Sequence, residues 1–102
     1  GGFMEETNVN NILKSYIDAA KIGHNTLFFE DWLKDHKWDR TIAYRTANKN
    51  VRDTFKKLSR HRTTDRKKIA LTSLAKEERE LFINSFYRVV EHNILKDLKS
   101  LH

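Results

Sequence analysis

Proline is absent from all 102 residues, and glycine occurs only three times. Strand-rich folds need those two residues at their tight reversals. Proline presets the turn φ, and glycine accepts the positive φ that hairpin turns demand. A chain without them has few ways to reverse often and many ways to continue as helix. The expectation is an all-α fold, a single small domain built as an irregular antiparallel bundle of four to five helices.

Apolar spacing supports this. Val9, Ile12, Leu13, Tyr16, Ile17 and Ala20 recur at intervals of three and four, one face of a helix over 7–22 with Thr7 as its cap. Gly23 is the left-handed stop that would end it. Asn25 or Thr26 would cap a short second helix carrying Phe28, Phe29, Trp32 and Leu33, folded back on the first as a hairpin. Asp39 would cap a third helix over 40–58, with Ala43, Ala47, Val51, Thr54 and Leu58 inward and the two alanines admitting a close neighbour. Thr63 or Thr64 would cap a short fourth helix. The longest runs over 75–101, with Ile83, Phe86, Tyr87, Val90, Ile94, Leu98 and Leu101 as its core face.

A chain of this length buries roughly two-thirds of its unfolded surface, and 11 aromatic residues supply bulk for one core. Gly1-Gly2-Phe3 ahead of Met4 reads as a cloning remnant, which places the domain at 4–102. There is no cysteine, so disulfides and thiol chemistry are excluded, in keeping with an intracellular setting. No apolar run reaches the ~20 residues of a membrane span.

The net charge of +6 is unevenly spread. Residues 1–39 hold four bases and seven acids, and residues 69–102 hold five of each. The 29 residues of 40–68 hold eleven bases and two acids. Within that block Arg45, Lys49, Arg52, Lys56 and Arg60 fall within about 80° on a helix, opposite the apolar side. Arg45–Lys49, Arg52–Lys56 and Lys56–Arg60 are like-charged i,i+4 pairs, each costing a few tenths of a kcal/mol. A plain solvated face would mix signs. The run over 60–68, RHRTTDRKK, extends the row with Arg62, Arg66, Lys67 and Lys68, and Thr63 and Thr64 add hydroxyls.

Nothing points to catalysis, a cofactor or a metal. The five histidines share no ligand spacing, and Glu91 and His92 are adjacent, about 100° apart on a helix. Asp31 and Asp35 suit a solvated helix face. No glycine-rich phosphate loop is present, and no motif is specific enough to name a family. The expectation is therefore a non-enzymatic module that binds the phosphate backbone of DNA or RNA through these nine cations, nuclear if the source is eukaryotic. Asn48 and Asn50 lie where they could reach bases, and Trp38 is the aromatic to test for base stacking. The alternative is an adaptor or inhibitor domain docking an acidic protein surface, and the acidic 1–39 segment could also pair head to tail with 40–68 of a second copy. A membrane-surface role would need large apolar residues beside the cations, and that face lacks them.

Overall fold

The computed structural model describes residues 2–100, with side chains described from Asn8 onward. Five helices follow one another: α1 (Gly2–Lys21), α2 (Glu30–Lys34), α3 (Tyr44–Leu58), α4 (Thr64–Thr72) and α5 (Lys76–Ser100). No strand occurs among the described residues, and the molecule measures 40 × 37 × 23 Å. The all-α expectation holds. No helix among the described residues is long and apolar enough to cross a membrane.

The first helix stops where the sequence says it should. Gly23 adopts φ 89°, a conformation that suits a residue without Cβ. The His24 amide donates to the Ala19 carbonyl at 2.9 Å and the Gly23 amide to the Ala20 carbonyl at 3.0 Å, the paired bonds of a Schellman ending. Thr7 lies inside α1 and so does not cap it. Leu13 and Ile17 are buried, with Val9, Ile12, Tyr16 and Ala20 packed around them.

The second helix is shorter than its apolar residues suggest, and it does not form a hairpin with α1; neither Asn25 nor Thr26 caps it. Leu27 and Phe28 are buried in the irregular segment before it. The Phe28 ring meets Phe82, Phe86 and Tyr87 at centroid distances of 5.8, 5.2 and 5.8 Å. Asn25 accepts a hydrogen bond from the Tyr87 hydroxyl at 2.5 Å. Burial of two large side chains in the core outweighs one further helical turn. Phe29 and Trp32 then pair edge to face at 4.8 Å, with the Lys68 ammonium over the Phe29 ring and the Arg79 guanidinium over Trp32. These contacts tie α2 to α4 and α5.

The third helix begins at Tyr44, not Arg40. Asp39 closes a turn instead of capping, its Oδ1 accepting from the Thr41 amide at 2.9 Å and the Thr41 hydroxyl at 2.5 Å. Residues 36–43 form a strap laid along α5. Asn84 Oδ1 accepts from His36 Nε2 at 2.8 Å and from the Asp39 amide at 3.0 Å. Arg88 Nε donates to the Ile42 carbonyl at 3.1 Å, and the His92 ring stacks on Tyr44 at 3.7 Å. Asn84, Arg88 and His92 stand on successive turns of α5, so the strap is held along that helix, and α3 starts only after Ala43. That alanine is exposed, against expectation, whereas Ala47 is fully buried.

α3 against α5 is the dominant packing, with α1 across both and α4 resting on α3. Tyr44 at the start of α3 meets His92 in the second half of α5, and α4 links the other ends. The two long helices are therefore antiparallel. Ala47, Val51, Phe55 and Leu58 from α3 and Phe82, Ile83, Phe86, Val89 and Val90 from α5 fill the core. The inward arc of α5 is thus rotated from the expected one. Tyr87 is half-buried, Ile94 and Leu98 are exposed, and Leu101 lies outside the described residues.

Candidate functional site

The outward side of α3 is set by its inward side. Ala47, Val51, Phe55 and Leu58 face the core, which leaves Arg45, Lys49, Arg52 and Lys56 within about 60° of one another on the far side, over about 16 Å of axis. All four are exposed. Every residue lining the shallow depression on this face belongs to α3. The surface is a convex, open ridge, suited to lying along a chain of charges and unsuited to enclosing a small molecule.

Within the ridge Lys49 Nζ pairs with Asp53 Oδ2 at 2.8 Å. The hydrogen bond from Lys49 holds the Asp53 carboxyl below its ordinary range, and the charges of Lys49, Lys56 and Arg52 push the same way. The same hydrogen bond raises Lys49. One acid thus relieves part of the repulsion that the sequence spacing imposes, and the ridge stays cationic.

The connector carries the row less far than expected. Ser59 closes α3, leaving Arg60 in the turn that follows; Arg60, Arg62 and Arg66 are exposed. Lys67 is not part of that surface. It is 2% exposed, and its Nζ donates to the His61 carbonyl at 2.5 Å. Desolvation holds its pKa below the ordinary lysine value. Lys68 is half-buried, its ammonium 4.2 Å from the centre of the Phe29 ring. Both lysines fold back because α4 turns that side toward the body of the protein. Of the nine cations, seven stand at exposed positions, Lys49 among them in its pair with Asp53, and two, Lys67 and Lys68, fold back onto the protein.

The two threonines are also engaged. Thr63 caps α4, its Oγ1 accepting from the Arg66 amide at 3.1 Å while its carbonyl accepts from the Lys67 amide. The Thr64 hydroxyl bonds the Tyr16 hydroxyl at 2.6 Å. Asn48 and Asn50 are half-buried beside the ridge, and Asn50 Oδ1 is buried with no hydrogen-bond partner. Trp38 is 49% exposed but belongs to the strap, with its ring edge-on to His36 and Tyr87. It is separated from the ridge by the core.

No group of acidic, histidine or cysteine side chains that could hold a metal occurs among the described residues. His24 and His61 are exposed, while His36 and His92 are committed to the strap. Sequence reasoning did not anticipate the Lys67 latch or the polar series Asn84, Arg88 and His92. The i, i+4, i+8 spacing of that series was the available signal. Comparison with known proteins finds no matching family model, no matching curated protein and no matching solved structure.

Proposed function

We propose that this chain is a non-enzymatic binding module that takes the phosphate backbone of DNA or RNA along the outer ridge of α3. The supporting observation is the exposed row Arg45, Lys49, Arg52 and Lys56 on one straight helix, opposed by a single acid. Phosphates repeat along a nucleic acid, so a straight row of cations neutralises several at once, and the released counterions supply affinity. Arg60 and Arg62 lengthen the row at its end. Lys67 and Lys68 are left out of the contact set. Contacts of this type position the ligand without reading its sequence. In a eukaryotic source this reading places the chain in the nucleus.

The test is a titration of a labelled duplex and a labelled single strand at two salt concentrations. About four phosphate contacts predict that log K falls with log salt at a slope of about −3.6 on duplex. Reversing Arg52, Lys56 and Arg60 to Glu removes binding while leaving the helical circular-dichroism signal intact. Binding no tighter than millimolar at low salt overturns the proposal and turns attention to an acidic protein surface as the ligand of the ridge.

A further inference from the structure

The second half of α5 carries apolar side chains that the core does not use. Ile94 is 37% exposed, Leu95 49% and Leu98 52%; Ile22, just past the end of α1, is 73% exposed. At 100° per residue Ile94, Leu98, Glu91 and Leu95 fall within about 100° of one another. They continue an open depression of about 560 Å³ between the strap and the end of α1, where Trp38, Tyr87 and Ala20 form apolar walls and Arg40 and Arg88 charged ones. A contiguous apolar strip of this kind marks a contact surface more often than a solvated one.

We propose that this strip is a self-association surface, on which a second copy of the chain packs antiparallel about Leu95. The charge pattern selects that occupant. Glu91 sits in the middle of the strip and makes no ion pair among the described residues. An apolar partner would bury its carboxylate unpaired, which is strongly unfavourable. Arg40 and Arg88 line the same depression but form no ion pair with Glu91, so a partner that brings a cation to its level complements the strip best. Lys99 lies four residues beyond Leu95, as Glu91 lies four before it, and Lys99 is exposed. A two-fold axis at Leu95 therefore brings the Lys99 of each copy to the Glu91 of the other, and one operation forms both pairs. The aliphatic stem of lysine covers apolar surface while its ammonium reaches the carboxylate.

The experiment is sedimentation equilibrium over a wide concentration range. The expected mass rises toward twice the 12.2 kDa of the chain. Glu91→Lys and Lys99→Glu each weaken the dimer by about tenfold, and the double charge swap restores it. Leu95→Asp gives monomer. Because all three positions are exposed, each variant should stay folded, with a thermal midpoint close to that of the wild type, and Leu98→Asp is a second route to the same disruption. A wild-type mass that stays at one chain overturns the proposal, whatever else the strip then binds, anionic lipid vesicles included. So does a dimer that survives Leu95→Asp and Leu98→Asp, or a double swap as weak as its two parents combined.

Discussion

Ser85 is fully buried, and its Oγ has no hydrogen-bond partner. A hydroxyl taken from water without compensation costs about 1–3 kcal/mol, and serine is also a poorer helix former than alanine. Ser85→Ala is therefore expected to stabilise the protein by about 1 kcal/mol, read as a higher midpoint in urea with an unchanged slope; a lower midpoint would mean the hydroxyl has a partner in solution. Two other residues tie stability to pH with opposite signs. Burial pushes the Tyr87 phenol up to about 12 from its ordinary 10.0. The unfolded chain ionises first, so the stability this residue contributes is complete below pH 10 and is lost as pH climbs from about 10 to about 12. Lys67 is lowered from its ordinary 10.5 by desolvation. Between its folded value and 10.5 the unfolded chain holds the extra proton, so its contribution grows as pH rises through that window. Tyr87→Phe loses the bond to Asn25, about 1 kcal/mol at neutral pH, and should flatten the alkaline decline in stability measured by urea unfolding at pH 9 to 12. An equally steep decline in the variant would assign it to other groups.

Caps and straps decide where the elements begin, and they differ in how plainly the sequence announces them. Thr63 was readable as a cap because its oxygen needs only the local amide of Arg66. Gly23 was readable because its φ of 89° suits a residue without Cβ. Asp39 looked like a cap of the same kind and instead closes a turn on Thr41, because the strap around it is held by Asn84 and Arg88 some 45 positions away. Long-range bonds of that sort leave no local signature. The apolar period of α5 misled for a related reason: the helix carries two apolar arcs, one facing the core and one facing outward, and spacing alone does not rank them. The cation row was legible because it needs only a straight α3. The fate of Lys67 and Lys68 was not, because it depends on which way α4 turns. Thr63→Ala is expected to cost about 1 kcal/mol through the lost cap. Asn84→Ala removes the acceptor shared by His36 and the Asp39 amide and should cost about 1–3 kcal/mol. Amide hydrogen exchange should then quicken over residues 36–43 and stay slow in the α3–α5 core; uniform acceleration would show that the strap and core open together.

At the scale of the molecule, charge and apolar exposure are segregated. The excess positive charge lies in residues 40–68 and emerges on the outer side of α3, while three exposed apolar side chains, Ile94, Leu95 and Leu98, stand together on the second half of α5. The α3–α5 core lies between α5 and the outer ridge, and the two surfaces share no side chain. Two contacts carried by separate residues on a rigid core should vary independently. The Arg52, Lys56 and Arg60 reversal to Glu should therefore abolish duplex binding and leave the sedimentation profile unchanged. Leu95→Asp should give monomer and still bind a short duplex, one long enough for a single ridge, within about twofold of the wild type. The mutants also separate the two proposals if one of them fails. A ridge that binds no phosphate leaves the dimer intact, and a monomeric wild type leaves the salt slope of duplex binding intact. Loss of self-association in the charge-reversed ridge would instead show that the cations themselves form the contact between copies. The head-to-tail pairing of the acidic 1–39 segment with 40–68 would then account for it, and the same sedimentation run at 0.5 M salt, about three times the physiological ionic strength, would dissolve that contact while sparing an apolar one.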